Sequence, residues 1–474
     1  MATQSISREI LFGSENSVKK LIESGANVNE KDAWGFTPLI QATIMNKIGI
    51  AEFLLRQGAK IDQTDITGQT ALQWAVNRRN REFVKLFLEY KANPNHYSRD
   101  GQPILVNPIL RGEQDLIHQL VNHGADLTFP HDYINAKLIG HRYELQGKAD
   151  IINVQGKFIE LEFEGFYLEF SVGIILRTLM TFFNSPMGKN YPAYNTVIQK
   201  IIRTFKTAAE LVQYKYTKEG STQQDIPIRE GLKQDLVLVP VSYEGHAITF
   251  VKYKNFFAKC DRGVKQIVDT VIAYHVGNPY ALNVDFLKDL MFNNKKNEYI
   301  NTEIKSILKL TPFTTLPARY QLSGNCSWAN VEASVPAMMF LLMFRGDVNS
   351  RGEIAALKNS IMSYYDTWVE WDKDRVLEEC IEDFHGASRP RQASIATLLG
   401  AILLQRCRPT EPKEVARARK ILNILTIPEF NFILKNYINI YCTKAAGTLG
   451  QDFTKLLKML GLNFHSLTLS KKRG

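Results

Sequence analysis

A chain of 474 residues is longer than one hydrophobic core usually organises, so several domains are expected. Its 45% apolar, 22% charged and 11% aromatic residues are those of an ordinary folded protein, which excludes a disordered or fibrous chain. The 58 basic residues against 48 acidic give a charge of +10 spread along the chain; without a basic stripe interleaved with aromatics, direct nucleic-acid binding is not expected.

Met1 to Phe12 carries charges and no apolar stretch, so no signal peptide of the usual kind is read there. A repeat follows. Gly25-Ala26-Asn27 recurs as Gly58-Ala59-Lys60, Lys91-Ala92-Asn93 and Gly124-Ala125-Asp126, each 33 residues on. Gly35, Gly68 and Gly101 step likewise, followed by Phe36-Thr37-Pro38-Leu39, Gln69-Thr70-Ala71-Leu72 and Gln102-Pro103-Ile104-Leu105. This is the ankyrin pattern, with short helix pairs that bury their apolar stripes by stacking. Residues 1–130 are therefore expected to form an all-α ankyrin solenoid of four repeats. Pro108 stands where Ala42 and Ala75 stand in the other units and should shorten or shift its helix. Such an array implies a protein partner. The candidate contact residues, at the hairpin tips, are Asp32, Trp34, Asp65, Ile66, Ser98 and Arg99.

The period vanishes beyond Pro130. Alternation over 150–170 reads as strand, with helices at 172–183 and 193–214. Strands are predicted at 236–241, 246–253, 256–260 and 270–275. A helix follows at 283–292, and a long apolar one at 329–344. Phe170–Phe183 and Val331–Phe344, the most apolar runs, fall short of the ~20 residues a membrane span needs. Residues 131–350 thus read as an α+β domain with an antiparallel sheet. From 351 to 474 the pattern is helical, at 352–364, 366–382, 391–406, 411–425, 428–441 and 448–460.

Five cysteines without a CxxC pair argue against a disulfide framework or a zinc site, and no metal or cofactor is expected. One cysteine stands out. In Gln321-Leu322-Ser323-Gly324-Asn325-Cys326 a Gly-Asn loop delivers Cys326 to the start of an apolar helix. A helix N-terminus lowers a thiol's pKa and offers free N–H groups to an oxyanion. His246 opens a predicted strand, and Asp261, fifteen residues on, follows the next one. Antiparallel pairing would bring Asp261 beside His246. Gln321 is a candidate oxyanion donor. The rival order uses Cys326 with His385 and Asn431; His246 is preferred, because His385 reads as a helix end. Cys326 as a small buried core residue is the plain alternative.

The order His246, Asp261, Gln321, Cys326 resembles cysteine proteases of the adenovirus-protease and SUMO-protease clan, which also holds bacterial effector acetyltransferases. The resemblance implies a papain-like fold with permuted chain order and thiol-dependent acyl chemistry. Ala247 after the His, and Ser327 after the Cys, depart from the clan's aromatic and Gly. An ankyrin array joined to such a domain resembles the ankyrin-repeat effectors of Legionella-type intracellular bacteria. That implies delivery by a type IV secretion system into a host cell, with host proteins as partners in the cytoplasm or nucleus. The alternative is a non-catalytic scaffold that binds a host protein.

Overall fold

The computed structural model describes residues 6–214, 222–263, 270–321, 324–345, 350–442 and 447–462. The repeats are four helix pairs. These are α1 (Ile6–Phe12) with α2 (Glu15–Glu23), α3 (Pro38–Ile44) with α4 (Ile48–Arg56), α5 (Ala71–Asn77) with α6 (Arg81–Glu89), and α7 (Val106–Arg111) with α8 (Gln114–Asn122). Ile10, Leu39, Leu54, Leu72, Phe83, Phe87 and Leu120 meet in one core that no single pair could close. Thr37 and Thr70 cap α3 and α5 by accepting the N–H of Ile40 and Gln73. Pro103 replaces that threonine in the third unit. Accordingly α7 lacks a side-chain cap, starts later and has six residues against seven. Pro108 is tolerated as its third residue, where the N–H needs no intrahelical partner.

Contacts divide the chain into two compact units. The first holds residues 1–136, 148–162 and 387–398; the second holds 137–147, 163–386 and 399–474. In the first, the array is followed by helix α9 (Thr128–Arg142), which reaches its boundary at Ala136, and by an antiparallel hairpin of β1 (Lys148–Ile152) and β2 (Phe158–Glu162). That hairpin continues the row of ankyrin hairpins. A Cβ at Gly35 would meet Ile66, one at Gly68 would meet Arg99, and one at Gly101 would meet Ile159 and the carbonyl of Glu160 on β2. The glycines keep φ near +80° and let each hairpin lie directly on the next.

The second unit centres on a five-stranded meander. Its strands are β3 (Leu236–Tyr243), β4 (His246–Tyr253), β5 (Phe256–Cys260), β6 (Val271–Val276) and β7 (Leu310–Leu316), paired antiparallel in that order. Around it lie α10 (Leu168–Asn184), α11 (Pro186–Lys189), α12 (Asn195–Tyr214), α13 (Thr222–Leu232), α14 (Val284–Phe292), α15 (Ile304–Leu308), α16 (Cys326–Met343) and α17 (Arg351–Gly386). Both sheet faces are covered. Leu236, Leu238, Val251, Ala258 and Val271 face α10, α12, α16 and α17. Val237, Val239, Val241, Ile248 and Phe250 face α13, α14 and α15. This explains the unbroken apolar run of β3. The two edge strands each carry a proline, Pro240 and Pro312, where a missing N–H is least costly. Sequence reading found no strand at β7, and Pro312 is the reason.

The helices predicted at 352–364 and 366–382 are one 36-residue helix, α17. No Gly or Pro separates them. Its Ile354, Ile361, Tyr364, Tyr365 and Trp368 share the core of α10, α12 and α16. The helical region read from 351 onward therefore contributes to the packing of the sheet-containing unit. After α17 come α18 (Arg389–Arg406), α19 (Pro412–Leu425), α20 (Asn431–Tyr441) and α21 (Thr448–Met459).

Candidate active site

The β3–β4 connection is two residues, Glu244 and Gly245, at φ 44° and 78°. Left-handed backbone at both suits a tight hairpin turn and delivers His246 as the first residue of β4. Asp261 leaves the end of β5, the next strand over. His246 Nε2 lies 3.0 Å from Asp261 Oδ1. Lys259 Nζ holds the other carboxylate oxygen at 3.1 Å, and the N–H of Gly263 reaches Oδ1 at 3.3 Å. Tyr243 packs edge-on against the imidazole, with centroids 5.5 Å apart.

Cys326 is half-buried as the first residue of α16. The residues around it are tied down. Asn325 Nδ2 donates to the carbonyl of His141 at 3.4 Å, and Ser327 Oγ to that of Phe166 at 2.6 Å. His246 and the backbone N–H groups of Ala247 and Ser327 are the neighbours that act on the Cys326 thiol. Asp261 occupies Nε2 and leaves Nδ1 as the ring's other nitrogen.

The electrostatics follow from this geometry. The Asp261 hydrogen bond, then the Cys326 hydrogen bond, raise His246 from an ordinary 6.5 to about 9 against the opposing effect of burial. For Asp261, burial pulls upward, but His246 and Lys259 outweigh it and hold the carboxyl at about 2. Burial likewise pushes the Cys326 thiol up, and the His246 hydrogen bond and the two N–H groups bring it below its usual value. Cys407, by contrast, is pushed up to about 12 by burial, and burial raises Cys260 and Cys442 as well. A cysteine thiolate beside an imidazolium is an activated nucleophile.

Gln321 lies beside the same ring. Its N–H bonds the carbonyl of Arg262 at 3.1 Å. A Cβ at Gly263 would sit 2.7 Å from His246 Cε1 and 3.2 Å from Gln321 Nε2. Only a glycine leaves both side chains where they are. The rival His385 is exposed in the last turn of α17, and Asn431 opens α20. It is His246, and not His385, that is among the groups shifting the Cys326 thiol.

Three further residues complete the site. Lys259 shares Asp261, Gly263 makes room, and Asn330 is a fully buried amide one turn after Cys326. Asn330 had a signal in the sequence, a lone amide inside an apolar helix. Lys259 looked like an ordinary strand lysine.

The ankyrin tips divide by role. Trp34 is 69% and Ile66 60% exposed, and Arg99 is exposed as well. Asp32, Asp65 and Ser98, again 33 residues apart, shape the hairpins. Asp32 accepts from the N–H groups of Trp34 and Phe36 at 2.9 and 2.8 Å. Asp65 accepts from Thr67, Gln69 and the Trp74 indole, and Ser98 bonds Asp100 and Gln102. Among the described residues no helix is long and apolar enough to cross a membrane, and no group of three His, Cys, Asp or Glu gathers as a metal site.

Residues 49–130 match a family model described as ankyrin repeats (3 copies), and residues 7–55 one described as ankyrin repeats (many copies). Inversin of Danio rerio is 37% identical over 81 residues, and inversin of Mus musculus 33% over 82. Each alignment covers 17% of this chain and only 8% of the inversin. The solved structure of the Legionella effector AnkH superposes with a TM-score of 0.81 at 40% identity, covering 97% of this chain and 98% of that one. Agreement of this order over nearly the whole of both chains extends well past the repeats, and the protein belongs to the family of the Legionella effector AnkH.

Proposed function

We propose that this chain is an effector that grips a host protein through its ankyrin array and acts on it by thiol-dependent acyl chemistry at Cys326. The ankyrin repeats imply protein–protein interaction, and the AnkH relationship carries the effector reading and entry into a host cell. Trp34, Ile66 and Arg99 are the side chains free to meet a partner, with Asp32, Asp65 and Ser98 holding them in place. Host cytoplasm or nucleus is the expected site of action.

The observation that supports chemistry is the His246–Asp261 hydrogen bond, with His246 among the groups that lower the Cys326 thiol at a helix N-terminus. In the proposed reaction the Cys326 thiolate attacks a carbonyl carbon and forms the C–S bond. The oxyanion takes the Cys326 N–H and the Gln321 amide. The His246 imidazolium gives its proton to the leaving amine as the C–N bond breaks. Water, or an acceptor amine in acyl transfer, then resolves the thioester. The permuted chain order of a papain-like hydrolase belongs to this reading.

The test is the pH dependence of Cys326 alkylation by iodoacetamide, in the wild type and in His246→Ala. Fast labelling with an apparent pKa well below ~8.5, lost in the variant, is expected. Slow labelling indifferent to His246 would leave a binding scaffold as the function.

A further inference from the structure

Helix α16, which carries Cys326, comes from a part of the chain distant from the paired strands β4 and β5 that carry His246 and Asp261. Something must set their mutual register to a few tenths of an ångström. Asn330 lies one helical turn after Cys326, on the same face of α16. It is fully buried. Its Nδ2 donates to the carbonyl of Ala247 at 2.6 Å. Its Oδ1 accepts the N–H of Arg262 at 2.6 Å. Ala247 follows His246, and Arg262 follows Asp261. The amide thus grips both strands that carry the partners of Cys326. The N–H of that same Ala247 is also among the groups that bring the Cys326 thiol below its usual value, so the amide holds a residue that acts on the thiol.

The far side of this clip is also anchored. The Arg262 guanidinium is 3% exposed and reaches the carbonyl of Arg319, Glu332 at 3.3 Å and Glu144 at 2.9 Å. Glu332 sits on α16 itself, two residues after Asn330. The turn after Asp261 is pinned to the nucleophile helix through both its backbone and its side chain.

We propose that Asn330 is a positioning residue that holds the His246 and Asp261 strands in register with the Cys326 helix. This rests on the thiol-chemistry reading above. Without the amide, the Ala247 and Arg262 groups lose their buried partners and α16 is free to slide along the sheet. A shift that loosens the thiol–imidazole contact removes the stabilisation of the thiolate.

The experiment uses the full chain as wild type, Asn330→Ala, and Ser334→Ala. Ser334 is equally buried one turn further on, but its hydroxyl bonds only the carbonyl of Val331 within the helix. Two quantities are read: the apparent pKa of Cys326 alkylation, and the titration of the His246 ring by NMR, assigned by its absence in His246→Ala. In Asn330→Ala the alkylation profile is expected to move up by about one pH unit or more, slowing labelling at pH 6.5 about tenfold, and the His246 titration to fall. Ser334→Ala should keep both wild-type profiles. If circular dichroism shows Asn330→Ala unfolded, Asn330→Ser, which keeps a shorter polar group, carries the comparison. An ordinary thiol in the wild type would sink the chemistry reading and this inference with it. A depressed wild-type profile that a folded Asn330 variant reproduces would overturn this inference alone.

Discussion

The Asp261→Asn variant separates the charge of the acid from its place in the site. Asn fits the same space; with its oxygen kept toward His246 and Gly263, it loses the charge and the Lys259 contact but keeps an acceptor at the ring. His246 is raised from 6.5 to about 9, and Asp261 at 3.0 Å is the largest cause. At about 1.4 kcal/mol per pH unit, the full raise corresponds to ~3 kcal/mol of preference for the imidazolium. Removing the carboxylate charge should take away the largest part of that preference and lower the ring toward its ordinary value by about one pH unit or more. At pH 8 the protonated fraction would then fall from about nine-tenths to about a half or less. The Cys326 thiolate loses its counter-charge over the same range. Ring titration by NMR and the iodoacetamide profile of Cys326 report the two halves of the pair. Stability offers a third readout. A raised imidazole pKa stabilises the fold fully below about 6.5, and that contribution is lost as pH rises through about 9. The melting-temperature gap between wild type and variant should therefore narrow from pH 7 to pH 10. A His246 titration that overlays the wild type would refute the argument that Asp261 sets the charge of the ring.

The remaining predictions concern the frame. Arg142 is 1% exposed in its side chain and pairs with Glu332 and Asp372, so Arg142→Leu removes one partner from each of two buried carboxylates, leaving Glu332 to Arg262 and Tyr365 and Asp372 to Arg375. A loss of about 1–3 kcal/mol in urea denaturation is expected, and none at all would show that the remaining partners suffice. Lys91 occupies the left-handed position held by glycine in the other three repeats, at φ 61°. Lys91→Gly should stabilise the array by about 0.5–1 kcal/mol, seen as a higher melting temperature; an unchanged or lower one would refute the strain.

The repeat array was legible because each unit solves the same local problem. Gly25, Gly58 and Gly124 end a helix at positive φ, Thr37 and Thr70 start one, and these demands depend only on neighbours in sequence. The strands β3 to β6 were legible for a similar reason, since runs of Val, Leu and Ile with Gly245 between them have few other solutions. The site was legible in part. Cys326 before an apolar helix, and His246 at a strand start, are local signals. Where sequence failed, the deciding partner was distant. Strand β7 exists because β6 offers it an edge that tolerates Pro312. Helix α17 runs unbroken because Tyr364 and Trp368 are buried against α10 and α16. Local sequence thus determined the repeat helices, the strands β3 to β6 and which thiol meets a helix N-terminus. Only the tertiary structure decided that Gly263 must lack a side chain and that Asn330 spans two strands. The role of Asn330 is set by residues 68 and 83 positions away, and that of Gly263 by His246 and Gln321 on other elements, so no local pattern records them.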